Sequence, residues 1–231
     1  MYQTLVAVHG AIGAVGLLCF WSALSLKKGS GAHRLAGRVY LLAMLGICVT
    51  GAPMAISRFV EGKLTGGAFL SYLLLLVLGA GWLGWRAIRD KHDVDRYRGG
   101  AYLGIALTWL AAGVAMLLLG LVKGAPLIAG FSLVGLHAGY DMLRRRRTLG
   151  ENPRWWMRSH YSALFGTGVA THISFLSIGL PRLLPMLDGP MLGYASWFVP
   201  LLVSMVATIM LDRKYRVAPV ANRAKPLLAS T

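Results

Sequence analysis

The chain has 231 residues, of which 56% are hydrophobic and 14% charged, and its mean hydropathy is +0.60. A soluble domain carries roughly 25% charged residues, so this composition excludes both an ordinary water-soluble domain and a disordered chain. The formal net charge of +16 does not indicate nucleic-acid binding, because the basic residues gather in short segments between apolar runs, as in membrane proteins.

Seven apolar runs follow one another along the chain. Each is long enough to cross a bilayer core, which needs about 20 residues per helix. We predict an all-α, seven-helix membrane domain over residues 1–212, followed by a basic cytoplasmic tail over 213–231. The predicted spans are 4–26, 39–57, 67–86, 101–122, 125–143, 160–180 and 191–211.

Basic residues are concentrated on one side of these spans. Of the 24 Lys and Arg residues, 20 fall in alternate segments, and the others are Arg58, Lys63, Lys123 and Arg182. The positive-inside rule then places the N-terminus outside and the C-terminus in the cytoplasm. The sequence therefore predicts a multi-pass protein of a bacterial-type inner membrane.

The spans lack residues on which several classes of membrane protein depend. None has a carboxylate at its centre, which disfavours a proton-coupled carrier. The last span has no lysine for a retinal Schiff base, and no HExxH motif is present for a zinc hydrolase. Asp141 lies near the end of the fifth span and is expected to pair with Arg144 or Arg145. Whether the protein is an enzyme stays open.

Four histidines inside the spans are candidate cofactor ligands. Counting 1.5 Å per residue from the span ends places His9 and His172 near the outer face, and His137 and His160 near the inner face. Two histidines from different helices at one depth can hold a b-type haem, and glycines beside them leave room for a flat macrocycle. We therefore predict a histidine-ligated redox protein, with haem b as cofactor and a redox partner or quinone as its electron partner.

Hydrogen bonding between helices is the alternative role for these histidines. His160 and His172 are 12 residues apart, which places them roughly 120° apart around a helix and does not favour two stacked haems. The glycines have an alternative role too, since the GxxxG pattern of Gly135 and Gly139 is typical of closely packed helices.

The loop after the first span, KKGSGAHRLAGRVY, is a second candidate site. Its basic side chains are placed to bind a phosphate or a lipid headgroup near the start of the second helix. These candidate anion-binding residues are Lys27, Lys28, His33, Arg34 and Arg38. They favour a small transport or lipid-handling protein with membrane lipids as partners. The remaining alternative is a structural membrane subunit whose loop sets orientation alone.

The same loop carries a resemblance to a known family. The pattern Lys-Gly-x-x-x-His-Arg-x-x-Gly-Arg, with His-Gly early in the first span and Trp-x-x-Pro in the last, resembles a family of predicted bacterial membrane proteins. That family is catalogued as a domain of unknown function, so the resemblance implies a multi-helix inner-membrane protein and no reaction. It marks for testing His9, His33, Arg34, Gly37 and Arg38.

Overall fold

The computed structural model describes residues 2–187 and 189–215, and every regular element in this part of the chain is helical. The helices are α1 Tyr2–Ser25, α2 Gly31–Val60, α3 Leu64–Arg89, α4 Val94–Tyr97, α5 Gly100–Val122, α6 Pro126–Arg145, α7 Trp155–Ser174, α8 Leu180–Leu183 and α9 Pro190–Lys214. A π-helical segment, Phe175–Gly179, joins α7 to α8. The predicted all-α class is confirmed, and the predicted tail beyond residue 215 lies outside the described residues.

Six helical segments in the described chain are long and apolar enough to cross a membrane. They are Tyr2–Ser25, Gly31–Val60, Leu64–Arg89, Val94–Val122, Trp155–Leu183 and Met191–Lys214. The predicted fifth span is also helical, as α6, but it is not among the six. Its hydropathy is lowered by His137, Asp141 and the two arginines of its last turn. A helical bundle compatible with multiple membrane passes is confirmed, whereas a seventh span and the orientation stay predictions.

The second helix begins at Gly31, well before the predicted residue 39. Ser30 is its N-cap, because the serine side chain accepts a hydrogen bond from the His33 backbone N–H at 3.2 Å. Such a bond satisfies one of the donors left free at the start of a helix. The segment that carries Arg34 and Arg38, predicted as a loop, therefore forms the first turns of α2.

Several helix ends meet at one end of the bundle, which we call the basic end. Here α1 ends close to the start of α2. Arg98, just before α5, donates to the Arg146 carbonyl oxygen just after α6 at 3.1 Å. Arg154, just before α7, donates to the Tyr215 carbonyl oxygen just after α9 at 2.8 Å. Consecutive long helices are thus antiparallel, and this end gathers most of the arginines.

Glycines bring α5 and α6 into backbone contact. A Cβ atom added at Gly139 would lie 2.7 Å from the Ala106 carbonyl oxygen, and one added at Gly120 would lie 2.6 Å from the Ala129 nitrogen. Gly135, one turn before Gly139, also lies against the α5 backbone. The alternative role of the GxxxG pattern, close helix packing, is therefore confirmed.

A buried ion pair ends α3. The Asp90 carboxylate is fully buried and pairs with Arg86 one turn earlier. Its second oxygen, Oδ1, lies 3.7 Å from the Arg96 Nε and has no hydrogen-bond partner among the described residues. The pair holds the α3–α5 connection on the end of α3, since Arg86 also donates to the Arg96 carbonyl oxygen at 2.8 Å.

Two further ion pairs lie at the basic end. The Arg158 Nε of α7 lies 3.1 Å from both carboxylate oxygens of Asp212 on α9, and Tyr161 donates to the same carboxylate. On α6, the Arg145 Nε lies 2.6 Å from the Asp141 Oδ1. The predicted pairing of Asp141 one turn along its own helix is therefore confirmed, with Arg145 as the partner.

Candidate functional site: the membrane histidines and the basic end

His172 uses both of its ring nitrogens in hydrogen bonds. The Trp21 indole N–H donates to His172 Nε2 at 3.0 Å, and His172 Nδ1 lies 2.7 Å from the Gly168 carbonyl oxygen. An indole nitrogen can only donate and a carbonyl oxygen can only accept, so the imidazole is neutral with its proton on Nδ1. Neither nitrogen is left for an iron atom.

The Phe20 side chain fills the space beside His172. Its ring stands edge-on to the imidazole with centroids 5.3 Å apart, and it contacts the bare face of Gly168. The space beside Gly168, on the same helix as His172, is therefore occupied by an aromatic side chain of α1.

His9 joins α1 to α2 through a single hydrogen bond. Its Nδ1 lies 2.8 Å from the Thr50 Oγ1, and that hydroxyl donates to the Gly46 carbonyl oxygen at 2.7 Å. Because the hydroxyl proton is used on Gly46, the His9 Nδ1–H is the donor to Thr50.

The structure does not bring His9 and His172 together. His172 contacts Trp21, and Trp21 is 12 residues beyond His9 on α1. Twelve residues of α-helix span about 18 Å. The two histidines of the predicted outer pair are therefore separated in this structure. The helical segment runs to Leu183 rather than to residue 180, so His172 lies deeper below the outer end than predicted.

The predicted inner pair is also not joined by any bond among the described residues. His160 Nδ1 lies 2.9 Å from the Gly84 carbonyl oxygen of α3. His137 is exposed on α6, which packs mainly on α5. His33, near the start of α2, lies with Nδ1 3.0 Å from the Ala23 carbonyl oxygen of α1. Four histidines therefore form hydrogen bonds between or within helices: His9, His33, His160 and His172. Haem ligation by His137 and His160 stays a prediction.

The basic residues of the first loop divide into two groups. Lys28 Nζ donates to the Ala23 carbonyl oxygen at 2.9 Å and also to that of Leu24, and His33 bonds Ala23 as well. These two cover the carbonyl end of α1, which attracts positive charge. The second group, Lys27, Arg34 and Arg38, is exposed and makes no ion pair within the described residues.

The end of α9 adds positive charge near the hairpin formed by the end of α1 and the start of α2. The pKa of Lys28 is lowered by desolvation of its ammonium group and, secondarily, by the charge of Lys214. Lys28 therefore lies in a positive environment, which favours an anion. This interaction could not be predicted from the sequence, because the two lysines are far apart along the chain.

Four arginines elsewhere at this end are paired with carboxylates. Arg86, Arg98, Arg145 and Arg158 each lie within ion-pair distance of an aspartate. The hairpin formed by the end of α1 and the start of α2 has no acidic residue between 25 and 40. Its positive charge is therefore uncompensated by its own sequence.

Two cation–π pairs of arginine and tryptophan on α3 were not among the sequence predictions. The Arg86 guanidinium carbon lies 5.6 Å from the ring centroid of Trp82, and that of Arg89 lies 4.8 Å from the ring centroid of Trp85. The signal was present in the sequence, since Trp and Arg four residues apart share a face of a helix.

No family model matches the sequence, and no curated protein or solved structure is detectably similar to it. The resemblance carried by the first loop therefore stays a prediction, and the function has to be argued from the residues themselves.

Proposed function

We propose that the protein is a multi-pass, bacterial-type inner-membrane protein that binds anionic phospholipid at its basic end. In this proposal α6 is a seventh span, the N-terminus faces outward and the basic end faces the cytoplasm. The cytoplasmic leaflet of such a membrane presents anionic headgroups at the level of this end.

The uncompensated charge of the α1–α2 hairpin carries the proposal. Lys27, Arg34 and Arg38 are exposed, and the charge of Lys214 helps to lower the pKa of Lys28. Each basic residue near an anionic surface contributes about 1 kcal/mol of attraction. The start of α2 adds backbone N–H groups that favour a phosphate oxygen.

The histidine bonds support this choice over haem-based electron transfer. His172 has both nitrogens engaged, and His9 lies about 18 Å away along α1 by helix rise. An absorption spectrum of protein purified from a haem-replete host tests the alternative directly. A Soret band that shifts on reduction would favour the redox function and count against the role proposed here for these histidines.

Removing the two hairpin charges Lys27 and Arg34, as Lys27→Gln with Arg34→Gln, should weaken binding of dioleoylphosphatidylglycerol. We expect about a fivefold loss of affinity per charge removed, since each contributes about 1 kcal/mol. Native mass spectrometry of the detergent-solubilised protein, titrated with this lipid and with dioleoylphosphatidylcholine, measures both affinities.

A matched control removes two charges from the opposite end. Arg58 and Lys63 pair with Glu61 at 3.5 and 2.9 Å, so Arg58→Gln with Lys63→Gln should leave phosphatidylglycerol binding unchanged. Equal losses in the two double variants, or no preference of the native protein for the anionic lipid, would contradict the proposal.

Reporter fusions test the orientation and the seventh span. A reporter inserted after Lys63 or after Gly124 should be external, and one placed after Gly150 or after Lys214 should be cytoplasmic. The uneven distribution of basic residues is the reason for this expectation. If reporters after Gly124 and Gly150 lie on the same side, α6 does not cross the membrane.

A further inference from the structure

An apolar groove runs along the outside of the bundle between α2 and α3. It has a volume of about 310 Å³, and all the side chains that line it are apolar. On α2 its wall includes Leu42 and Leu45, and on α3 it includes Trp82 and Trp85; these four side chains are between 40% and 68% exposed. No described residue covers this face.

Toward the basic end, one arginine lies a helical turn beyond the groove lining on each of its two helices. Arg38 precedes Leu42 by four residues, so the two share a face of α2. Arg89 follows Trp85 by four residues, and its guanidinium lies over the Trp85 ring. Both arginines are exposed, and neither pairs with a carboxylate in the described chain.

We propose that this groove binds one acyl chain of an anionic phospholipid, with the phosphate held between Arg38 and Arg89. The inference rests on the proposed function, because it assumes that the basic end recognises anionic lipid. It adds a specific site to that function, formed by the α2–α3 surface rather than by the hairpin alone.

The dimensions suit the part of a lipid nearest its headgroup. From Leu41 to Cys48 the groove follows α2 for seven residues, or roughly 10 Å. That is about a third of a bilayer core of about 30 Å. Tryptophans are typical of the membrane interface, which places Trp85 and Arg89 at headgroup level.

A second groove, between α3 and α5, provides a contrast within the same molecule. It is larger, about 540 Å³, and shares Leu78 and Trp82 with the first groove. The arginines near its basic end are already paired, Arg86 with Asp90 and Arg98 with Asp95. Because these two arginines are already paired, charge complementarity favours the α2–α3 groove for an anionic lipid.

Gly81 allows the groove to be filled without a clash. A Cβ atom added there would meet a single neighbouring atom, Leu41 Cδ2, at 4.0 Å. In Gly81→Leu the new side chain should occupy the space of several methylene groups. We expect about a tenfold or greater loss of phosphatidylglycerol affinity, as displacing two or more buried methylenes would cause. The matched control on the same helix is Gly66→Leu, since nothing lies within 4 Å of a Cβ at Gly66.

Arg89→Gln tests the headgroup end of the site. We expect about a fivefold loss of dioleoylphosphatidylglycerol affinity with little change for dioleoylphosphatidylcholine. Glycerol 3-phosphate, which has the phosphate without acyl chains, should fail to displace the bound lipid in native mass spectrometry. Displacement by this small anion would overturn the acyl-chain part of the proposal.

The outcomes separate this inference from the proposed function. If Lys27→Gln with Arg34→Gln weakens anionic lipid binding while Gly81→Leu and Arg89→Gln do not, the groove proposal fails and the hairpin function stands. If the native protein shows no preference for the anionic lipid, both fail. A change in oligomeric state on Gly81→Leu, with lipid binding unaltered, would assign the groove to a second copy of the chain instead.

Discussion

Replacing Gly139 by alanine is expected to lower the free energy of unfolding by about 1–3 kcal/mol, the usual cost of overpacking. The new methyl group would lie 2.7 Å from the Ala106 carbonyl oxygen, which is backbone and cannot rotate away. The α5 and α6 helices would have to move apart along their whole contact. Thermal unfolding in detergent, followed by circular dichroism, measures the loss.

Gly130→Ala is the matched control for this substitution. Gly130 lies on the same helix, and nothing lies within 4 Å of a Cβ added there. Alanine favours helix over glycine by about 1 kcal/mol, so this variant should be as stable as the native protein or more so. Equal effects of the two alanines would show that the backbone contact contributes little to stability.

Replacing Arg86 by methionine is expected to destabilise the protein by about 3–5 kcal/mol. Removing one partner of a buried ion pair leaves the other charge without compensation in a low-dielectric environment. The Asp90 side chain is fully buried, and Arg96 approaches it no closer than 3.7 Å. Chemical denaturation of the purified variant gives the free energy of unfolding.

A second substitution distinguishes charge from packing at this position. In Arg86→Met with Asp90→Asn no buried charge is left unpaired, so much of the lost stability should return. The exposed Arg144, which makes no ion pair within the described residues, provides the control variant Arg144→Met with little expected effect. A double variant as unstable as Arg86→Met alone would assign the loss to the packing of the arginine side chain.

The elements of the fold followed from the sequence, but their ends did not. The apolar runs predicted the long helices because each must bury or face hydrocarbon along its length. Ser30 is the N-cap of α2, within a glycine-rich segment whose composition predicts a loop. Its capping bond to the His33 backbone N–H starts the helix there, and the pattern of apolar residues contains no information about that bond. The predicted sixth span begins at residue 160, whereas α7 begins at Trp155, because Arg158 interrupts the apolar pattern of its first turns.

The candidate site was predicted in part. The basic composition of the hairpin is evident in the sequence, and the structure adds that Lys28 and His33 are used on the end of α1. The proximity of Lys28 to Lys214 and the α2–α3 groove depend on which helices are neighbours and how each is rotated. Those properties arise from tertiary packing, as does the bond between Trp21 and His172 that separates the predicted histidine pair.

The backbone contact between α5 and α6 has a consequence for biosynthesis. The two helices are joined by residues 123–125, with Gly124 in the left-handed conformation at φ 58°. A segment as polar as α6, with His137 and Asp141, inserts into a bilayer poorly when it enters alone. Its tight pairing with the strongly apolar α5 would let the two leave the translocon as one helical hairpin. If α6 crosses the membrane, as proposed above, we expect its insertion during synthesis to require α5 already emerging beside it.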